Sequence, residues 1–496
     1  MATGTGWEIS VALEQAGGDA QPLFLRIARA LIEDIRRGRL RPGSRLPGSR
    51  ALARTLAVHR NTVLAAFREL LAEGWIEARH GQGTFVSEAL PETTAPRRQP
   101  GRPAAGRPQQ PGFDLVPHTL SPPQDRVLSP NTLYMWGGLP DLRLVPTEAF
   151  VRALRRVLRK PRSILDYGDH RGHERLRSAL ASMLQATRGI LLGRDDLLIT
   201  RGSQMGLSLA AEALLRPGDA VAVEAYGYRP AWQAFKRVGA RLIPVQVDEH
   251  GLDTAALAEL CERERVRAVY VTPHHQYPTT VPLSPGRRIE LLELAQKHRF
   301  AILEDDYDHE FHYEGRPLLP LASADTAGVV VYIGTLSKVF APGVRLGYVA
   351  APAALLSELA ARRFYQDRQG DQASECALAE LIEDGELARH TRRMRRIYRE
   401  RRDRCVELLS EQFGEQMQFR VPNGGMALWV KLARGLDPQQ LLAAAETEGV
   451  SFQAGRQFAA NDRPLPHARI GYACLDLPEL EEAMRRLQRA LRKLKR

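Results

Sequence analysis

The chain has 496 residues and a formal net charge of +12, a length that exceeds a single hydrophobic core and points to about three domains. No apolar run approaches the roughly 18 to 20 residues needed to cross a bilayer, and Met1 to Ser10 carries no basic-then-apolar leader, so the expectation is a soluble, cytoplasmic protein without a membrane partner. Cys261, Cys376, Cys405 and Cys474 lack the paired spacing of a disulfide framework or a Cys/His zinc site, so no metal is expected.

The positive charge is uneven. Residues 1 to 111 hold 16 arginines and no lysine against 10 acidic residues, a net of +6 and half the excess of the whole chain. That asymmetry fits a polyanion partner, with a merely solvated basic face as the alternative. Pro22 to Gly38 places Phe24, Ile27, Ala28, Leu31, Ile32 and Ile35 on one helical stripe ended by glycine. A second helix is predicted from about Ser49 to Leu56. A third starts at Arg60, with Val63, Phe67 and Leu70 as its buried stripe and Arg60, Asn61 and Thr62 at its exposed start. In a helix-turn-helix those starting residues face base edges in the major groove, where Arg matches guanine and Asn matches adenine. Gly74 to Val86 then alternates like a hairpin whose small tip, Gly81-Gln82-Gly83, lets backbone amides approach phosphates as a wing does. A helical bundle for protein contact is the competing reading.

This stretch resembles the GntR-type winged helix, whose signature is matched by Pro42-Gly43-Ser44-Arg45-Leu46-Pro47-Gly48-Ser49-Arg50, with Gly48 in place of a usual serine. The resemblance implies DNA contacts from Arg45, Arg50, Arg60 and Thr62, and places a winged helix-turn-helix domain at 20–88.

A linker is predicted at 89–127: residues 91 to 111 are rich in proline, glycine and arginine and hold nothing that can nucleate a core. Beyond it, apolar runs at Leu197–Ile199, Ala220–Val223, Val269–Val271, Phe300–Leu303 and Val329–Ile333 alternate with helical patterns. Runs apolar on both faces suit strands of a mostly parallel sheet covered by helices, an α/β fold. The prediction is a large domain at 128–385 and a smaller α+β lobe at 386–496. Nine arginines between Arg389 and Arg404 lie on a predicted helix that either touches DNA or presents a solvated or interdomain face, and the arginine-rich stretch from Arg485 reads the same way.

Lys338, one of seven lysines, follows the apolar run ending at Ile333 and sits among small and hydroxyl residues. Lys431 is its rival, and a surface lysine at a strand end is the plain alternative. Asp305 and Tyr307 share one face of a strand end while Asp306 points away, by the two-residue period of a strand. A metal-binding or solvated acidic strand end would look the same. Ser203 and Gln204 open a helix whose amides suit a phosphate, Thr335, Ser337 and Arg345 add hydroxyls and a cation, and Tyr228 either stacks on a ring or packs in the core. An amine, a carboxylate, a phenol and an anion cradle are what pyridoxal 5'-phosphate requires.

Together these stretches resemble fold-type I aminotransferases, and Tyr332 to Tyr348, Leu303 to Phe311 and Thr272 to Thr280 resemble the MocR-type branch of the GntR transcriptional regulators. The resemblance spans nearly the whole chain and implies a pyridoxal 5'-phosphate-dependent regulator of transcription. It implies that Lys338 carries the cofactor as a Schiff base and that Asp305 and Tyr307 hold its ring while Tyr228 stacks on it. Ser203, Gln204, Ser337 and Arg345 would bind its phosphate, and Arg469 the carboxylate of an amine or amino-acid effector. It also implies a head-to-tail homodimer in which Tyr167 reaches a partner's cofactor, and double-stranded operator DNA as the macromolecular ligand. Tyr226 stands where the family has proline, Thr280 where it has glycine, and Pro230 where a γ-aminobutyrate-sensing member has arginine, which argues against that effector. A working aminotransferase with an appended DNA-binding module is the alternative.

Overall fold

A computed structural model describes residues 22–91, 112–114, 131–159 and 164–494, and the predicted linker falls largely outside them. The chain divides into two compact units, Met1–His118 and Thr119–Arg496.

In the first unit, α1 (Leu23–Arg36), α2 (Ser49–Thr55) and α3 (Arg60–Ala72) are followed by the antiparallel strands β1 (Ile76–Arg79) and β2 (Gly83–Val86). The stripe of α1 buries Ile27, Leu31 and Ile35 against Val63, Phe67 and Leu70 of α3, with Trp75, Ile76 and Val86 of the hairpin closing the core. The His59 ring caps α3, its Nδ1 accepting the Asn61 amide at 3.2 Å, and so fixes where the exposed start of that helix lies.

In the second unit, β3 (Leu133–Met135) and the helix α4 (Thr147–Val157) precede a seven-stranded sheet. Its strands are β4 (Leu197–Thr200), β5 (Ala220–Glu224), β6 (Arg241–Val245), β9 (Val266–Val271), β10 (Ala301–Asp306), β11 (Val330–Thr335) and β12 (Gly347–Ala350), with a small hairpin, β7 (Val247–Asp248) and β8 (Gly251–Leu252), between β6 and β9. The spatial order is β4-β12-β11-β10-β9-β5-β6, with β12 antiparallel to both neighbours and the other pairs parallel. All of β4, β5 and β11 is buried, because helices cover both faces. Val221 and Val223 join one core with the helices Ser203–Leu214, Arg229–Arg237 and Ala353–Asp367, while Ala222 joins another with Thr254–Arg263 and Pro285–His298.

A second sheet, β13 (Met417–Phe419), β14 (Ala427–Leu432), β15 (Val450–Ala454) and β16 (His467–Gly471), runs in the order β13-β14-β16-β15-β3. The helices Glu386–Phe413, Pro438–Thr447 and Leu477–Leu494 complete its core. Here β3, which the sequence reading assigned to the large domain, pairs in parallel with β15 of the small lobe. Sheet pairing at a sequence separation this large leaves no local signal. No helix among the described residues is long and apolar enough to cross a membrane.

Candidate functional site

The parallel strands β9, β10 and β11 all point their carboxyl ends at one cleft, the place where open α/β sheets bind ligands. A cavity of about 460 Å³ opens there, lined by Lys338, Asp305, Tyr307, Tyr228, Ser203, Gln204, Ser337 and Arg345 among others. Each comes from the end of an element: Asp305 from β10 and Tyr307 from just beyond it, Lys338 from the turn after β11, Ser203 and Gln204 from the first turn of their helix, and Tyr228 from the cap of Arg229–Arg237.

Asp305 is 4 % exposed; its Oδ2 accepts the Tyr270 hydroxyl at 2.8 Å, and its Oδ1 is buried without a hydrogen-bond partner. Burial pushes its carboxyl up to about 7. Asp306, on the other face, meets Arg188 and accepts the Tyr332 hydroxyl. The Lys338 amine is pushed down to about 8, first by burial and then by the Arg469 charge, while Asp308 and Asp305 oppose the shift. An amine titrating there is uncharged in an appreciable fraction at neutral pH, the reactive form toward an aldehyde. Lys431, the rival, is exposed on β14 and does not line the cavity.

At the opposite end, Gly202 caps the helix Ser203–Leu214 at φ 77°. A Cβ there would sit 3.0 Å from the Arg345 guanidinium, which donates to the Arg201 carbonyl at 2.8 Å. The Thr335 hydroxyl donates to Ser337 Oγ at 3.0 Å. Helix amides, two hydroxyls and a cation thus converge in an anion cradle. The Gln204 Oε1 is buried without a partner while its Nε2 donates to the Pro230 carbonyl.

Arg469 does not line the cavity. It is 0 % exposed, packs over the Tyr277 ring at 4.3 Å, and none of its three guanidinium nitrogens has a hydrogen-bond partner. Gly137 permits this packing, since a Cβ there would collide with the guanidinium. Tyr307 donates to the His275 carbonyl at 2.9 Å. Tyr167 is 76 % exposed beneath Arg368 and is not brought to the cavity of its own chain. Thr280 adopts φ 64°, the left-handed region where glycine is favoured.

Sequence reasoning missed Trp136, Gly137, Gly138, Tyr270, Thr272, Tyr277 and Gln453, which also line the wall. Thr272 and Tyr277 lie in the Thr272 to Thr280 stretch already singled out, and the paired glycines after β3 were a further signal: a Cβ at Gly138 would lie 3.5 Å from Lys338 Nζ. On the arginine-rich helix Glu386–Phe413, Arg389, Arg392, Arg393, Arg395, Arg396 and Arg399 are exposed, while three others are tied down internally. Arg401 reaches Asp141 and the Ala473 carbonyl, Arg402 pairs with Glu314, and Arg404 with Glu481.

In the first unit, Arg45, Arg50, Arg60 and Asn61 are exposed and Thr62 is half-buried at the start of α3. Gly81 and Gln82 form the exposed wing tip, where Gly81 adopts φ 71° and Gly83 φ 117°. The Arg45 guanidinium lies against Gly83, and Arg60 Nε approaches Ser49 Oγ at 3.4 Å, so signature, recognition helix and wing meet on one face.

A winged helix-turn-helix and an aminotransferase fold with its lysine, aspartate and anion cradle therefore share one chain. Residues 23–86 match the model of bacterial regulatory proteins of the gntR family, and residues 138–487 match aminotransferase class I and II. The chain is 32 % identical to the probable rhizopine catabolism regulatory protein MocR of Rhizobium meliloti, over 95 % of this chain and 94 % of that protein. It is also 32 % identical to the HTH-type transcriptional regulator TauR of Rhodobacter capsulatus, over 96 % and 98 %. The structure of LysN, the α-aminoadipate aminotransferase of Thermus thermophilus complexed with N-(5'-phosphopyridoxyl)-L-leucine, superposes with a TM-score of 0.69 at 32 % identity, covering 74 % of this chain and 93 % of that one. The chain belongs to the MocR-type branch of the GntR transcriptional regulators, which join a GntR domain to an aminotransferase class I and II domain.

Proposed function

We propose that this regulator binds pyridoxal 5'-phosphate in the cavity and that an amine or amino acid entering there changes how its winged helices engage operator DNA. The observation that carries the reading is the unmatched polarity at the site: Asp305 Oδ1 in the wall that also holds Lys338, and all three Arg469 nitrogens behind that wall, are buried without partners, and the Arg469 charge reaches the Lys338 amine. Leaving such groups unpaired costs about 1–3 kcal/mol each, more where charged, and a ligand that pairs with them would recover that cost. Lys338 would hold the cofactor covalently, Asp305 its ring nitrogen, and Tyr307 its ring oxygen. Tyr228 would cover the ring, and Ser203, Gln204, Ser337 and Arg345 the phosphate. The bound group supplies an electron sink for carbon next to an amine. Arg469 would take the effector's carboxylate as a bidentate pair, and Pro230 adds no second cation for a longer diacid or ω-amino acid.

The proposal includes a head-to-tail homodimer, in which the exposed Tyr167 serves the cavity of a second copy. An effector that favours one of two dimer arrangements would move the paired reading helices relative to operator half-sites. Arg45, Arg50, Arg60, Asn61 and Thr62 would contact DNA with the wing tip at Gly81 and Gln82. The test is titration of the holoprotein with a panel of amines and amino acids, read together by cofactor absorption and DNA footprint. A ligand that changes both supports the reading, and Arg469→Met should abolish the response to α-carboxylates while leaving basal DNA binding. Turnover of amino acids with 2-oxoacids near the usual enzyme median of about 10 per second would instead make it an aminotransferase with a DNA-binding appendage.

A further inference from the structure

A cluster of imidazoles stands beside the cofactor cavity and takes no part in the chemistry above. His274 and His275 lie on the loop after β9, and His309 and His312 on the segment after β10. One ring nitrogen from each of His274, His275 and His312 lies within 4.8 Å of the other two. Buried histidines ordinarily satisfy their ring nitrogens with hydrogen bonds. Here His274 Nε2 and His312 Nδ1 are both buried without a partner. His274 is 7 % exposed and His275 3 %, whereas His312 is half-buried and leaves one side of the cluster open to entry.

The second shell is in place as well. His275 Nδ1 pairs with Asp308 Oδ1 at 2.8 Å, and Asp308 is itself 1 % exposed. A carboxylate on one ring nitrogen fixes the tautomer and turns the lone pair of the other outward, as behind most metal-bound histidines.

We propose that His274, His275 and His312 bind one divalent transition ion of the zinc, nickel or copper class, with Asp308 orienting His275. Imidazoles select this class over magnesium or calcium, which prefer oxygen. Tetrahedral zinc with bonds of about 2.0–2.1 Å needs nitrogens about 3.4 Å apart, so binding would draw the three rings, now within 4.8 Å of one another, closer together. Three protein ligands leave a fourth position for water or an external donor. The His275 carbonyl accepts the Tyr307 hydroxyl, so the ion would brace one wall of the cofactor cavity. The Cys and His spacing gave no hint of such a site, since the ligands come from two segments joined only by the sheet.

The test uses tag-free, full-length protein stripped with a chelator, titrated with Zn²⁺ by calorimetry and with Co²⁺ by visible absorption. The expected result is one equivalent per chain with the intense bands of tetrahedral cobalt. His312→Gln and His274→Gln should each remove that site, Asp308→Asn should weaken it about 10- to 100-fold, and His298→Gln, on a remote helix, should leave it unchanged. Circular dichroism reports folding; if His274→Gln does not fold, the half-buried His312→Gln decides. Absence of a stoichiometric site in the wild type, or full affinity in the folded histidine variants, would overturn the proposal.

Discussion

The exposed face of the winged helix and the cavity of the second unit are built by opposite means. Residues 45 to 82 supply the whole face, its side chains are mostly exposed, and its charge is left to solvent. The cavity draws on residues from Trp136 to Gln453, with Arg469 behind it, and strands charged and polar atoms where water cannot reach them. A surface that meets a polyanion gains from charge that need not be desolvated beforehand. A pocket that must tell one small molecule from another gains from groups that only the right ligand satisfies. The first kind of site is cheap in stability and local in sequence; the second is neither.

Lys338→Ala should have the largest effect on the cavity. It should abolish the cofactor's visible absorption while DNA binding stays measurable, because the face and the cavity lie in different units; retention of the band would move the attachment to another lysine. Next in size is the pH dependence of Asp305, whose folded value near 7 exceeds the ordinary value of 3.8. A raised carboxyl contributes stability while protonated and loses it as pH rises toward the folded value. Cofactor-free wild type should therefore lose stability relative to Asp305→Asn between about pH 4 and pH 7, on the order of 2–4 kcal/mol, by denaturant titration. Adding the cofactor should reduce that loss, since a protonated ring nitrogen favours the ionised carboxylate.

At the reading face, Arg60→Ala should cost about 1–3 kcal/mol of operator affinity and relax the preference at one base pair. Arg45→Ala, beside the wing, should weaken binding more evenly across sequences and flatten its salt dependence, and competition binding at several salt concentrations separates the two. The smallest expected effect is at Thr280, held at φ 64°. Thr280→Gly should raise stability by about 0.5–1 kcal/mol in thermal unfolding, because relief of left-handed strain slightly exceeds the backbone entropy that glycine brings. A loss of stability would mean that the Thr280 hydroxyl, which donates to the Thr279 carbonyl at 2.6 Å, outweighs the strain.

Legibility in the sequence follows the same division. The stripe of Ile27, Leu31 and Ile35, the start of α3 and the glycines of the wing are periodic or adjacent along the chain, so spacing alone exposes them. Within the cavity, Lys338, Asp305 and Tyr307 could be read because each ends an apolar strand in a distinctive run. Tyr270 could not: inside Val266–Val271 it looks like any buried aromatic, and only the neighbouring strand shows its hydroxyl on Asp305. Gln453 and the Trp136 to Gly138 turn reach the cavity because β3 and β15 pair, a contact spanning more than half the chain.

By itself the sequence determined the two-part plan, the α/β class and the residue types of the chemistry, since helix stripes, buried strands and a glycine-tipped hairpin are local patterns set by side-chain period. Tertiary structure alone decided which charges lie buried without partners, that Arg469 packs on Tyr277 behind the cavity, and that three histidines from two segments converge. Desolvation and close approach are properties of packing, and no residue carries them until the sheets have brought distant neighbours together.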